Sequence, residues 1–173
     1  VLESGWLTNA KYVAELERKI CEYTGAQYAI AMNSCTAALH ALMLALRIKP
    51  GDEVIVPANT FVSTANAVLY VGAKPVLVDV DLDTYNISPM DVQEKITSNT
   101  RGIIAVHIGG NPADMKDLLE IAEDHNLFII EDAAHALGSI YQGKYCGTIG
   151  LAGTYSFYPT KVVTAGEGGA IVT

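Results

Sequence analysis

The segment of residues 50–80, PGDEVIVPANTFVSTANAVLYVGAKPVLVDV, decides the fold class of this chain. It opens on a Pro-Gly-Asp turn and contains two short apolar runs, residues 53–56 and 75–80. Residues 60–70, between the two runs, suit a helix. A short continuous apolar run is typical of a strand that is buried on both faces. A strand, a helix and a second strand in this order predict a unit of a parallel sheet.

The same alternation of strands and helices continues on both sides of this segment. Residues 37–46, AALHALMLAL, are apolar almost all round and predict a buried helix. Together the elements predict a three-layer α/β/α fold, in which helices cover both faces of a mainly parallel sheet. The other predicted helices are 12–23, 89–97 with Ser88 as N-cap, and 113–125, and the other predicted strands are 28–32, 102–108, 127–130, 153–157 and 169–173.

The composition excludes several classes of protein. Half of the 173 residues are hydrophobic, which is enough for one substantial core and excludes a disordered chain. The formal net charge of −8 argues against a protein that binds nucleic acid or anionic membranes. The three cysteines form no paired framework, no apolar run is long enough to span a membrane, and the start lacks a signal-peptide layout. We therefore expect a cytoplasmic protein, and we predict no metal site.

The residues that follow the predicted strands are the candidate site, because ligands bind at the carboxyl ends of parallel strands. Ser34, Cys35 and Thr36 follow the first strand and open a helix. Free backbone N–H groups and two hydroxyls at a helix start suit a phosphate, although an ordinary N-cap explains the same residues. Phe61 follows the second strand, where an aromatic ring either stacks on a planar ligand or, as the simpler interpretation, packs in the core.

Charged or titratable residues follow two later strands. Asp132 ends a buried strand, where a carboxylate needs a partner, either a cationic ligand nitrogen or the next turn of the backbone. His135, three residues on, is either a ligand-binding histidine or a packed or capping one. Lys161 lies between an aromatic turn and a glycine-rich segment, residues 165–169. It is either a surface lysine or a partly buried amine able to form an imine with an aldehyde.

These candidates together match one cofactor. Pyridoxal phosphate (PLP) requires a phosphate site, an acid at its pyridine nitrogen, a platform for its ring and a lysine that forms an imine. The helix start after the first strand, Asp132, Phe61 and Lys161 would supply these four contacts at one edge of the sheet. Their joint occurrence therefore predicts PLP more strongly than any one of them does.

Seven motifs span nearly the whole chain. They are GWLT (5–8), AIAMNSCTAAL (29–39), PGDEVIVPANTFV (50–62), GAKPVLVDVD (72–81), NPADM (111–115), IEDAAHALG (130–138) and SFYPTKVVTAGEGGAIVT (156–173). In these motifs and in their order the chain resembles the DegT/DnrJ-type nucleotide-sugar aminotransferases, which are fold type I, aspartate aminotransferase-like PLP enzymes. The last two motifs are quite specific. The resemblance implies the large, PLP-binding domain of that fold.

The resemblance implies the catalytic role of Lys161 and the role of Asp132. Lys161 matches the lysine that forms the imine with PLP and later moves the proton between the substrate carbon and the cofactor. Asp132 matches the carboxylate that keeps the pyridine nitrogen protonated. Some relatives have histidine in place of this lysine and are sugar dehydratases, so that the lysine at 161 favours transamination.

The resemblance also implies the remaining cofactor contacts. Thr36, Ala37 and Ser156 match residues that contact the phosphate. Phe61 matches an aromatic residue over the ring, and His135 matches a Gln or His beside the 3′-oxygen of the cofactor. One departure from the family's pattern is the cysteine at position 35, where a glycine is common.

The implied reaction transfers an amino group from an amino acid, typically glutamate, to a keto-sugar attached to a nucleotide. The product would be an amino-sugar nucleotide for polysaccharides or glycosides. Members of this family are longer, continue into a smaller C-terminal domain and act as dimers. We therefore interpret residues 1–173 as an incomplete, apparently truncated large domain, and we expect a homodimer or a higher homo-oligomer. A non-catalytic fragment or pseudoenzyme and a PLP-dependent sugar dehydratase are the alternative functions.

The end of the chain carries one further expectation. The sequence stops within an apolar run, residues 169–173. If a missing portion would have covered the strand at residues 170–172, that strand is expected to leave an apolar edge that invites association.

Overall fold

A computed structural model describes residues 3–6, 8 and 10–173. Leu7, within the first family-like motif, lies outside the described residues. The helices are α1 (Lys11–Thr24), α2 (Cys35–Ala45), α3 (Ser63–Tyr70), α4 (Pro89–Lys95) and α5 (Met115–His125). The strands are β1 (Ala29–Met32), β2 (Glu53–Pro57), β3 (Lys74–Val78), β4 (Thr100–Val106), β5 (Phe128–Asp132), β6 (Ile140–Tyr141), β7 (Lys144–Tyr145), β8 (Ala152–Ser156) and β9 (Gly169–Val172).

Seven of these strands form one sheet in the order β1-β9-β8-β5-β4-β2-β3. The four adjacent pairs from β8 to β3 are parallel. Only β9 runs in the opposite direction, and it is antiparallel to both of its neighbours, β1 and β8. The mainly parallel sheet predicted from the sequence is therefore confirmed.

Helices cover both faces of the sheet. Since successive residues of a strand point to opposite faces, the contacts of one strand show both layers. Val54 and Val56 of β2 pack in a core with residues of α2 and α3. Ile55, between them, packs on the other face with residues of α4 and α5. The three-layer arrangement is thus visible within one strand. In the described part of the chain, no helix is both long and apolar enough to cross a lipid bilayer.

The apolar run near the end of the chain does not form an exposed edge. β9 is buried along its whole length and lies between β1 and β8. Its backbone is hydrogen-bonded on both sides, so it offers no free edge for another strand. The expectation of an exposed apolar edge at residues 170–172 is therefore wrong.

The predicted burial of the apolar helix is confirmed on one face only. α2 buries Ala38, Leu39, Leu42 and Met43, whereas Leu44 is 58% exposed. The helix packs on the sheet with one side, whereas most residues of the opposite side are half-buried and Leu44 and Ala45, at its carboxyl end, are exposed. An apolar composition all round the helix therefore overestimates its burial.

Two short strands escaped the sequence analysis. β6 and β7 form a two-stranded hairpin, and two residues per strand are too few to show a period. Gln142 and Gly143, which connect the strands, have φ values of 48° and 83°. Left-handed conformations at both central residues are typical of a tight hairpin turn.

Candidate active site

A cleft of about 450 Å³ opens at the carboxyl ends of the parallel strands. β5 and β8 end there, the turn after β1 opens α2 there, and the segment between β8 and β9 closes it. This is the edge of the sheet at which the topology predicts a ligand. Six of the seven residues predicted from the sequence line the cleft: Thr36, Phe61, Asp132, His135, Ser156 and Lys161.

The amino end of α2 forms one wall of the cleft. Ser34 is the N-cap of α2, and its Oγ accepts a hydrogen bond of 3.1 Å from the backbone N–H of Ala37. The N-cap interpretation of Ser34 is therefore confirmed. The same bond occupies the N–H of Ala37, the one predicted residue that is not among those lining the cleft.

Two hydroxyl groups join the amino ends of α2 and α3. Thr36 Oγ1 lies 2.7 Å from Oγ of Ser63, the first residue of α3, and both residues line the cleft. The hydroxyl of Ser156, at the end of β8, lies on the same cavity. Helix amino ends carry unpaired N–H groups and a partial positive charge, so this wall suits an anion such as a phosphate.

Asp132 is the last residue of β5 and is only 5% exposed. Its carboxylate accepts hydrogen bonds from Thr64 Oγ1 at 2.8 Å and from the backbone N–H of Ala134 at 3.2 Å. Within the described residues, no lysine, arginine or histidine forms an ion pair with it. A buried carboxylate that is held only by neutral donors suits a cationic group of a ligand.

His135 is half-buried on the wall of the cleft. The backbone N–H of Gly109 donates to its Nδ1 at 3.3 Å, so the proton of the neutral ring lies on Nε2. Burial lowers the pKa of His135 from its ordinary value of 6.5, and the nearby charge of Lys161 lowers it further. Asp132 opposes this shift. The site therefore favours a neutral His135 that has an N–H to donate.

Lys161 lies in a turn after β8, where its backbone N–H donates to the carbonyl of Tyr158 at 2.9 Å. The side chain is half-buried and lines the cleft. This position favours the interpretation as a partly buried amine over that as a surface lysine. The charge of Lys161 also acts on Cys35, the buried thiol at the start of α2. Burial raises the pKa of Cys35, the Asp132 carboxylate raises it further, and Lys161 opposes the rise.

Phe61 corrects one interpretation from the sequence. Its side chain is 70% exposed, although core packing was the simpler expectation for it. Phe61 lies in the loop before α3, and its ring contributes to the wall of the cleft. A large exposed aromatic ring beside a cavity is available for stacking on a planar ligand.

The sequence analysis missed two threonines of the site. Thr64 is fully buried and contacts Asp132, and Thr60 lines the cleft and lies 2.8 Å from Thr64, oxygen to oxygen. Their spacing of four residues, directly after a strand end, was a usable signal because such residues share a helix face. The contact with Asp132 has no signal of its own, since 68 residues separate the two side chains.

A second buried carboxylate stands beside Asp132 and also had no sequence signal. Glu131 is fully buried and accepts hydrogen bonds from His107 Nε2 at 2.9 Å and from three backbone N–H groups at 2.6–2.7 Å. The N–H of Ala113 donates to Nδ1 of His107, so the ring nitrogen that faces Glu131, Nε2, is the donor. The three backbone donors are Gly147, Ile149 and Gly150.

The sequence matches the model of the DegT/DnrJ/EryC1/StrS aminotransferase family over residues 1–173. The chain belongs to this family. It is 46% identical over 173 residues to a GDP-perosamine synthase from Escherichia coli O157:H7, with 99% of this chain and 48% of that protein covered. It is 45% identical over 172 residues to the spore coat polysaccharide biosynthesis protein SpsC of Bacillus subtilis, with 99% and 44% covered. The chain thus spans about half the length of these two relatives.

Solved structures of this aminotransferase family share the fold. The PLP form of Spr1654 from Streptococcus pneumoniae superposes with a TM-score of 0.96 at 35% identity, over 99% of this chain and 47% of that one. The same protein is also known in a PMP form. PLP is therefore the cofactor of this family, and the residues of the cleft fit it. A buried carboxylate held by neutral donors, a half-buried lysine and two adjoining helix amino ends are the groups that it requires.

Proposed function

We propose that this chain forms the cofactor-binding part of a PLP-dependent aminotransferase. The enzyme would transfer an amino group from an amino acid, glutamate in the first instance, to a keto-sugar attached to a nucleotide. The observation that carries the proposal is the placement of Lys161 and Asp132 on one cleft with the amino ends of α2 and α3. The E. coli relative is named for a GDP-linked product, which supports a nucleotide-linked substrate.

Each predicted residue has a role in this proposal. Thr36 and Ser156 hold the phosphate at the amino end of α2, whereas Ala37 acts only indirectly, since its N–H is bonded to the Ser34 cap of that helix end. Phe61 covers one face of the ring, and His135 donates from Nε2 to the ring oxygen. When bound, PLP supplies an aldehyde that captures amines and a ring that withdraws electrons from the bound substrate.

Lys161 and Asp132 are the charged residues of this chain that would take part in the reaction. Lys161 is the residue that would hold the cofactor through its Nζ, and its amine is the group of this chain that would move a proton to and from the substrate. Asp132 holds a proton on the ring nitrogen, because a buried carboxylate is stabilised by a cation beside it. When the substrate fills the cleft, it displaces water from this edge of the sheet. The attraction between the Asp132 carboxylate and the protonated ring nitrogen then becomes stronger.

The domain organisation, oligomeric state and location belong to the same proposal. Because the chain covers 48% and 44% of the two relatives, we propose that it corresponds to their PLP-binding large domain and that a smaller domain completes the enzyme. A homodimer in the cytoplasm is the proposed state. An in-frame continuation of the coding sequence after Thr173 would support the two-domain organisation, and a stop codon there would contradict it.

The first test is covalent attachment of the cofactor at Lys161. The chain is incubated with PLP, reduced with borohydride, digested and examined by mass spectrometry. We expect a pyridoxyl group on Lys161, together with an absorbance band at the violet edge of the visible range before reduction. Lys161→Ala removes the adduct, whereas Lys144→Ala, at an exposed lysine of the β6–β7 hairpin, retains it. A folded wild-type chain without an adduct at Lys161 would contradict the proposal.

Two product assays separate the alternative functions. Release of 2-oxoglutarate from glutamate by the PLP-loaded chain supports an aminotransferase and excludes a non-catalytic fragment. Amination of a nucleotide-linked keto-sugar is then compared with deoxysugar formation. Lysine at position 161 favours amination, and a deoxysugar as the main product would indicate a dehydratase instead.

A further inference from the structure

The carboxylate of Asp132 is held in place chiefly by one side chain. Thr64 Oγ1 donates to Asp132 Oδ2 at 2.8 Å, the shortest hydrogen bond to this group. The other carboxylate oxygen, Oδ1, accepts from the backbone N–H of Ala134 at 3.2 Å and lies 3.9 Å from Sγ of Cys35. Asp132 is the last residue of β5 and pairs with Val106 of β4 and Thr154 of β8, so its backbone is fixed by the sheet and its carboxylate by these hydrogen bonds. The Thr64 hydroxyl therefore contributes most to the orientation of the carboxylate.

The direction of the hydrogen bonds around Thr64 is fixed. An ionised carboxylate only accepts, so the single hydroxyl proton of Thr64 points to Asp132. Thr60 Oγ1 lies 2.8 Å from Thr64 Oγ1 and must donate to it, since the proton of Thr64 is already used. Thr60 lines the cleft. A chain of two hydroxyls thus leads from the wall of the cleft to the buried carboxylate.

Among the described residues, a second buried threonine in a helix, Thr24, bonds differently from Thr64. The hydroxyl of Thr24 donates to the carbonyl of Ile20 in its own helix at 2.7 Å, which is the usual behaviour of a buried helical threonine. Thr64 is fully buried in the first turn of α3, yet its hydroxyl bonds to a different element, β5. The two threonines therefore form a matched pair, one with a local bond and one directed at the site.

We propose that Thr64 is a positioning residue, which orients the Asp132 carboxylate toward the ring nitrogen of PLP. The inference rests on the proposed function, because it requires that Asp132 contacts that nitrogen. Without the hydroxyl, Asp132 Oδ2 loses its side-chain donor in a buried environment, and the carboxylate loses the orientation that the ring nitrogen needs. Thr60, which donates to Thr64, supports the same arrangement from the cleft side.

The experiment compares PLP with an analogue in which C–H replaces the ring nitrogen. Dissociation constants of both are measured by equilibrium dialysis for the wild-type chain, Thr64→Val, Thr64→Ser and Thr24→Val. Valine has the shape of threonine without the hydroxyl, so the change removes the hydrogen bond and little else. We expect Thr64→Val to weaken PLP binding about tenfold, the size of a hydrogen bond to a charged group, and to leave the analogue within twofold.

The controls distinguish positioning from a general structural effect. Thr64→Ser keeps a hydroxyl and restores the preference for PLP over the analogue. Thr24→Val changes neither dissociation constant, although it removes an equally buried hydroxyl. An equal loss of affinity for PLP and analogue in Thr64→Val would overturn the proposal, and so would the absence of any change.

A second measurement needs no cofactor and separates this inference from the proposed function. Urea unfolding midpoints are compared for wild type, Thr64→Val, Asp132→Asn and the double variant. If the two residues act as a unit, the double variant shifts less than the sum of the single shifts. Strictly additive shifts would contradict the inference. A wild-type chain that binds neither PLP nor the analogue would contradict the proposed function, whereas additive shifts in the unfolding cycle would contradict the coupling of Thr64 to Asp132 and leave the proposed function standing.

Discussion

His135 makes the stability of the chain depend on pH. Burial and the charge of Lys161 lower its pKa below 6.5, so the folded chain takes up this proton at a lower pH than the unfolded chain does. Between the pKa of His135 in the folded chain and its pKa in the unfolded chain, the unfolded state binds more protons. The free energy of unfolding therefore falls as the pH falls through this range. The part of the stability that depends on a neutral His135 is therefore complete above about pH 6.5 and is lost below it.

This pH dependence is a testable prediction at the scale of one residue. Urea midpoints are measured from pH 7.5 to 5 for wild type and His135→Gln, and we expect the decrease below about pH 6.5 to be smaller in the variant. His125→Gln, at the exposed end of α5, is the matched control and retains the decrease of the wild type. Identical pH profiles for wild type and His135→Gln would contradict the lowered pKa.

Phe61 and Asp132 illustrate what residue type and position predict. Both follow directly or closely after a predicted strand, and both line the cleft. The burial of Asp132 follows from its position in an apolar strand, whereas the 70% exposure of Phe61 could not be derived from its apolar character. The exposure of a side chain depends on the residues that surround it in the fold. An apolar side chain beside a cavity is available to contact a ligand and need not pack in the core.

At the scale of elements, Glu131 ties the segment before β8 to β5. Its carboxylate accepts from the N–H groups of Gly147, Ile149 and Gly150, and the fourth donor, His107, follows β4. Three of these bonds anchor the segment before β8 to β5, and the fourth joins the end of β4 to β5. Because Asp132 is the next residue of β5, the same anchoring fixes the backbone from which Asp132 extends.

Glu131→Gln is predicted to destabilise the fold. The amide NH₂ of glutamine faces backbone donors that require an acceptor, so at least one buried N–H is left unpaired. We expect a loss of about 3 kcal/mol in the free energy of unfolding, measured by urea denaturation. Glu120→Gln, on the exposed side of α5, is the control and changes stability by less than about 0.5 kcal/mol.

Hydrogen exchange gives a local readout of the same prediction. Relative to the wild type, we expect Glu131→Gln to accelerate hydrogen exchange at the amides of Gly147, Ile149 and Gly150 more than at the amides of β4. A variant as stable as the wild type, with unchanged exchange at these three amides, would show that the Glu131 contacts do not hold the segment.

The whole molecule exposes apolar side chains around the cleft. Phe61, Val62, Val162 and Val163 are 52–72% exposed, and all four lie in loops at the carboxyl edge of the sheet. Apolar groups that are concentrated at one edge, beside a site, are typical of a contact surface. This placement supports the proposed homodimer, since association would cover these residues and shield the cleft from water.

Self-association is therefore the prediction at the scale of the whole molecule. Sedimentation velocity of the chain is expected to show a dimer or a larger species at micromolar concentrations, and Val162→Asp is expected to shift it toward the monomer. Leu151→Asp provides the control, because Leu151 is similarly exposed but precedes β8 at the opposite edge of the sheet. A wild-type chain that stays monomeric, or an equal effect of both variants, would contradict association through the cleft edge.

Much of the fold and most of the site were predictable from the sequence. The order of strands and helices and the candidate residues follow from apolar periodicity and from the residues at strand ends, both of which are local properties. The strand order, the reversed direction of β9 and the hairpin of β6 and β7 do not follow from them, because they depend on which segments pair in space. The prediction of an exposed apolar edge at residues 170–172 was wrong for this reason.

The sequence by itself determined the α/β class, the family, and the Lys161 and Asp132 pair of the candidate site. Only the tertiary structure decided that Thr64, 68 residues before Asp132, holds its carboxylate, that Glu131 anchors the segment before β8, and that Gly109 leaves the proton of His135 on Nε2. The reason is physical. Local sequence sets the periodicity and the residue types, whereas a hydrogen bond between distant segments exists only after the sheet has brought their ends to one edge.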